Sequence, residues 1–194
     1  MKLYLLLVLM SFPFFTESTE PSQDLSPVKI RLTAKSKQQF PDEWIQISLP
    51  KNMKWVEKPN YDSPRCVAQD LKGTKYKIAN SPIHNKNFQL KKYVYSLVNS
   101  IKNSKSKKFV LFKENNPQAD TNFTIAWIEE NKLVTVHFER SNHSFYILET
   151  DSYNQEFTKF QPTTNPLPDT ICEEINLSQK FFDSFYLTTP PHER

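Results

Sequence analysis

An α+β protein with a central antiparallel sheet, and helices packed on one or both of its faces, is what this sequence predicts. Three observations carry that expectation. Short runs alternating apolar and polar residues recur along the chain, and three-residue linkers separate the last three, which makes those an antiparallel meander. Two other stretches follow a helical period. In the late strands, apolar residues fall on both faces, as in a sheet covered on both sides.

Taken in order, residues 1–18 read as a signal peptide. Lys2 precedes the apolar run Leu3-Tyr-Leu-Leu-Leu-Val-Leu-Met10, and Thr16 and Ser18 suit a cleavage site after Ser18. The run falls short of the ~20 residues that cross a bilayer, and Pro13 interrupts it. An uncleaved anchoring N-terminus is the alternative. Residues 19–27 read as a solvated linker, 28–187 as a single domain and 188–194 as a flexible tail. No transmembrane helix is expected in the mature chain, and its location is periplasmic or secreted.

Within the domain, 28–34 and 44–49 alternate as strands, the second stopped by Pro50. Residues 66–71 and 74–79 flank Lys72-Gly73, the best tight hairpin signal in the chain. A helix is expected over 87–103, where Leu90, Val94, Leu97, Val98 and Ile101 form one stripe. Strands follow at 108–113, 122–129, 133–139 and 145–150. In these, Phe123, Ile125 and Trp127 oppose Ala126 and Ile128, and Val134, Val136 and Phe138 oppose Leu133, Thr135, His137 and Glu139. A short helix capped by Ser152 would gather Tyr153, Phe157 and Phe160. A final helix would start at the capping box Thr170-Ile-Cys-Glu173 and bury Ile171, Ile175, Phe182 and Phe185.

This order of elements resembles the PsbP-like and DcrB-like superfamily. The residues that carry the likeness are Ile47-Ser-Leu-Pro50 followed by Trp55, the helix before a meander, Tyr146-Ile-Leu148, the short helix with Phe157 and Phe160, and Phe182-Asp-Ser-Phe185. It spans 45–186. The resemblance implies a central antiparallel sheet with helices on both sides and a non-enzymatic accessory or binding role, often after export. It transfers no functional residue.

Composition removes several function classes. The single glycine, Gly73, excludes phosphate cradles built on Gly-rich loops, and no Gly-x-Ser-x-Gly elbow can exist. A net charge of +4, from 25 basic and 21 acidic residues, argues against a dedicated nucleic-acid binder. His84, His137, His143 and His192 show no metal-ligand spacing, so neither metal nor cofactor is expected. His137 is the sole catalytic candidate: in a cleft it would act as a general base, whereas its neighbours Thr135 and Glu139 favour an exposed sheet histidine. Cys66 and Cys172 would form one disulfide in an oxidising compartment, worth about 4 to 5 kcal/mol by loop closure; two free thiols are the alternative. Sequons occur at Asn122, Asn142 and Asn176, no more than this composition gives by chance.

The clearest charge bias is Lys102, Lys105, Lys107 and Lys108, with Tyr93 and Tyr95 nearby. It would touch a protein partner, an envelope component or another anionic surface, unless it is merely solvated. The expected role is therefore that of an exported, non-enzymatic binding or accessory protein. The alternatives are a secreted hydrolase without a recognisable motif and a secreted effector acting on a host target.

Overall fold

The computed structural model describes residues 25–31, 44–59, 64–83, 85, 87–115, 121–141, 144–163 and 165–188. The expected signal peptide, the tail beyond 188, His84, His143 and His192 lie outside them. Among the described residues, ten strands and two helices make an α+β fold: β1 (Leu25–Arg31), β2 (Trp44–Pro50), β3 (Lys54–Glu57), β4 (Arg65–Gln69), β5 (Lys75–Pro82), α1 (Leu90–Lys102), β6 (Lys107–Glu114), β7 (Asn122–Glu129), β8 (Lys132–Arg140), β9 (Ser144–Tyr153), α2 (Asp169–Asp183) and β10 (Tyr186–Thr188). Seven strands form one antiparallel sheet in the order β3-β4-β5-β9-β8-β7-β6. A smaller sheet, β1-β2-β10, is also antiparallel.

Side-chain alternation assigns the two faces. Leu90, Val94, Val98 and Ile101 of α1 pack on Phe123, Ile125, Val134, Val136 and Phe138. The opposite face meets α2 and the small sheet: Ile30, Ile45, Ile47 and Leu49 join Cys66, Ile78, Tyr146, Leu148, Phe181 and Phe182 in a second cluster. A third cluster holds Ile128, Leu133, Phe157, Phe160 and Ile171. The sheet is thus covered on both sides, as the two-faced apolar pattern predicts.

The meander turns are tight, and Glu130 takes the left-handed conformation (φ 57) between β7 and β8. Gly73 does so (φ 90) in the β4–β5 hairpin, where Asp70 accepts from the Thr74 amide at 2.9 Å.

Four local expectations need correction. Residues 25–27 pair with Pro50, Leu49 and Ser48 in β1. The capping box does not form: α2 starts at Asp169 behind Pro168, whose carbonyl accepts from the Ile171 and Cys172 amides, and Thr170 lies inside the first turn. Ser152 is buried in β9, and the next turn is a 3-10 helix, Gln155–Lys159, capped by Asn154, whose carboxamide accepts from the Glu156 amide at 2.9 Å. Phe157 and Phe160 meet there, while Tyr153 stays exposed.

Cys66 and Cys172 are free thiols rather than a disulfide. Cys66 points into the cluster around Phe181 and Phe182, at the C-terminal end of α2. Cys172 sits in the first turn of that helix, its thiol directed at the Leu167 carbonyl 3.8 Å away. The nine residues from Cys172 to Phe181 span about 13 Å of helix, well past the ~7 Å limit on the Cα separation of a disulfide.

Candidate functional site

A groove of about 640 Å³ opens where α2, β10 and the adjoining ends of β6, β7 and β8 converge. Its position follows from the hand-over between helix and strand. Ser184 ends α2, its hydroxyl donating to the Phe181 carbonyl at 2.7 Å and accepting from the Ser48 amide at 2.8 Å. That bond ties the end of the helix to β2. The chain then turns through Phe185, whose ring meets Tyr146 at 5.1 Å, into β10. Tyr186 and Leu187 emerge on the rim, 51% and 46% exposed.

His137 forms part of the lining, and it is 7% exposed. An exposed sheet histidine is the wrong reading, because Phe182 of α2 lies over the imidazole, ring centroids 5.3 Å apart and nearly parallel. Both ring nitrogens are engaged. Nδ1 shares a hydrogen bond of 2.9 Å with the Thr124 hydroxyl, and Nε2 lies 3.3 Å from Glu139 Oε2. Asn115 Nδ2 donates to Thr124 Oγ1 at 3.2 Å. One arrangement satisfies every group: Thr124 donates to Nδ1, and Nε2–H donates to Glu139.

That order of hydroxyl, imidazole and carboxylate is the one a nucleophilic triad uses. Here the hydroxyl is in the wrong place for the chemistry. Thr124 is 2% exposed and is not among the lining residues, so no substrate carbonyl reaches its Oγ1. The chain instead fixes the imidazole plane against Phe182. Charges at the groove are mixed, with Lys113 on the β6 side and Glu139 and Asp183 opposing it. Asn122 Oδ1 is buried among the lining residues without a hydrogen-bond partner.

The expected binding residues do not converge on the groove. Lys102 Nζ lies 4.6 Å above the Phe109 ring and Lys107 Nζ 5.3 Å from Trp127, while Lys108 donates to the Thr158 carbonyl at 2.8 Å. Lys105 is exposed. Tyr93 packs on Phe138 and Phe145, and Tyr95 on Phe112, with its hydroxyl donating to Glu114. From Tyr95 to Lys102 is about 10 Å along the helix, so lysines and tyrosines do not form one patch.

Among the described residues, no cluster of His, Cys, Asp and Glu has the makings of a metal site, and no helix is long and apolar enough to cross a membrane. Away from the groove, Lys77 bridges Glu149 (2.5 Å) and Asp151 (2.7 Å) on the face shared with α1. Burial, outweighing the attraction of Lys77, pushes the Glu149 carboxyl above its ordinary value.

No protein-family model matches the chain, and no curated protein does. Solved structures do. The Ran-binding protein Mog1p of Saccharomyces cerevisiae superposes with a TM-score of 0.54 over 84% of this chain and 96% of its own, at 9% identity. Cyanobacterial PsbP (CyanoP) of Synechocystis sp. PCC 6803 gives 0.50 over 91% and 100%, at 8% identity. The chain has the fold they share. Identities this low establish the fold alone, in line with the PsbP-like order of elements in the sequence.

Proposed function

We propose that this chain is an exported, non-enzymatic binding protein that takes a protein partner at the groove beside β10. The observation that carries the reading is the groove itself, lined by a clamped histidine and rimmed by exposed Tyr186 and Leu187. Aromatic and apolar side chains around a recess are what partner surfaces use as anchors. A neighbour of this fold, Mog1p, is described as Ran-binding, which supports a binding role for the architecture. Export rests on the N-terminal apolar run and its cleavage site. Mass spectrometry of the mature protein should find the first 18 residues missing, and an intact Met1 would overturn export.

The test of the surface is a crosslinking pulldown from the native compartment with three proteins. These are the wild type, Tyr186→Glu, and the combined Lys102→Glu, Lys105→Glu, Lys107→Glu and Lys108→Glu variant. A specific partner lost with Tyr186→Glu and kept with the lysine reversals is the expected result. Loss with the lysine reversals alone would move the surface to the α1–β6 loop, and no partner at all would overturn the reading.

Hydrolysis is the second reading, favoured by the hydrogen-bond order Thr124–His137–Glu139. It predicts that Thr124→Val and His137→Ala abolish cleavage of small activated esters. The buried hydroxyl predicts no such activity in the wild type or in either variant.

A further inference from the structure

Strand register gathers polar side chains on the groove floor. Lys113 of β6 is paired with Thr124 of β7, and Thr124 with His137 of β8. Two residues along, Asn122 is paired with Glu139, and its carbonyl accepts from the Asn115 amide at 3.3 Å. Paired residues share a face of the sheet, so these six stand in two rows across the three strands. Hydrogen bonds link four of them in a chain: Asn115 Nδ2 donates to Thr124 Oγ1, the Thr124 hydroxyl to His137 Nδ1, and Nε2–H to Glu139. That order needs a neutral imidazole, since only then does Nδ1 have a lone pair to offer.

A second proton on the ring would make Nδ1 a donor. Thr124 Oγ1 would then accept from it, and the hydroxyl proton would need a new acceptor. With Thr124 2% exposed, bulk water does not supply one. A turn of the Asn115 carboxamide does, because its Oδ1 then takes the Thr124 proton. Resting on the binding role proposed above, we infer that His137 puts the groove under pH control: the partner binds while the imidazole is neutral, and is released when the ring takes up a proton and the Asn115 amide turns. The turned amide has an acceptor on the neighbouring strand, Asn122 Oδ1, which is buried without a hydrogen-bond partner. Asn115, Asn122 and Glu139 all line the groove, so the turn changes the donors and acceptors that a partner meets. The charge changes with them. Around the ring lie Glu139 on its own strand, Asp183 from α2 and Lys113 from β6, with Tyr186 of β10 also titratable and Leu148 of β9 apolar. An imidazolium adds positive charge to that mixed set.

The first test needs no partner. NMR of the free protein from about pH 8 to about pH 5 covers the range in which histidines exchange protons. The side-chain amide resonances of Asn115 should move with the same midpoint as the His137 ring. In Thr124→Val, which removes the hydroxyl between them, the ring should titrate while Asn115 stays still. A ring that takes up no proton over this range, or an Asn115 amide unmoved while it does, would overturn the inference on the wild type alone. The second test repeats the crosslinking capture at both ends of the range. Recovery of the Tyr186-dependent partner should fall on the order of tenfold in acid, and His137→Gln should remove that dependence. Equal capture at both pH values, or a fall that persists in His137→Gln, would sink pH control by this histidine while sparing the binding role. Absence of any captured partner at either pH would sink the binding role itself.

Discussion

The two faces of the seven-stranded sheet are covered by different means. Against α1, neighbouring strands present Phe123, Ile125, Val134, Val136 and Phe138, and one amphipathic stripe closes over them. Against α2, those strands and β9 present Thr124, Thr135, His137 and Thr150, all buried. An apolar surface is satisfied by any close-packed cover, whereas each buried polar group needs its own partner. Thr150 finds Ser178 of α2 at 2.6 Å, and His137 finds Thr124 and Glu139. Where helix and small sheet stop short of the β7 and β8 ends, the groove remains. The difference teaches that a site forms on the face whose cover is piecemeal.

The largest effect expected is at the seam between that cover and the polar face. Phe182 is buried, stacks on His137 and touches Phe181. Phe182→Ala should cost about 3 to 5 kcal/mol by urea unfolding. It should also move the His137 imidazole resonances, which a cavity elsewhere would not do. A loss below about 0.5 kcal/mol would mean that α2 contributes little to covering this face.

A polar cluster on the α1 face sharpens the contrast. Lys77 joins Glu149 and Asp151, and Lys77→Met would remove the cation they share, with Lys132 still 3.9 Å from Asp151. A fully buried pair broken this way costs ~3–5 kcal/mol; with the lysine side chain 33% exposed, about 1 to 3 is expected. The same cluster sets a pH dependence. Because burial raises the Glu149 pKa, the folded state binds that proton more tightly than the unfolded state does. The associated stability is present below the ordinary pKa of 4.5 and is lost as pH rises through the raised value. Glu149→Gln should flatten that decline in urea midpoints taken from about pH 4 to 7. A decline unchanged in the variant would place its origin elsewhere.

How far the sequence speaks follows the same division. A period of two is local, so the strands of the meander and the sidedness of Phe123, Val134 and Phe138 are legible residue by residue. β3 and β10, of four and three residues, are too short to show a period. The groove is not legible, because Lys113, His137, Phe182 and Tyr186 come from four separate segments that only the folded sheet brings together. One sign was present: Leu133 shares the face of Thr135 and His137, and a leucine there marks a covered face rather than a wet one. Cysteine parity misled for a related reason, since counting says nothing about where two thiols lie along a helix.

The thiols give a smaller, sharper test. Burial pushes the Cys66 thiol up to about 12, so it should resist alkylation in the folded protein at neutral pH. Cys172, half-buried, should label first, and both should label after denaturation without reductant. Equal rates in the folded state would contradict the tight packing of β4 beneath the small sheet.

The smallest effect is expected in the lysine loop, and it separates decoration from structure there. Lys107 and Lys108 hold an aromatic ring and a carbonyl, so reversing them disturbs packing as well as charge. Lys105 is exposed in the turn between α1 and β6. Lys105→Glu should therefore change stability by no more than about 0.5 kcal/mol, read from urea midpoints. Because that substitution alters charge without packing, any loss of partner binding it caused would report contact at the loop itself. Retained binding would leave the groove as the surface that recognises, with the neighbouring lysines serving the fold through the contacts they already make.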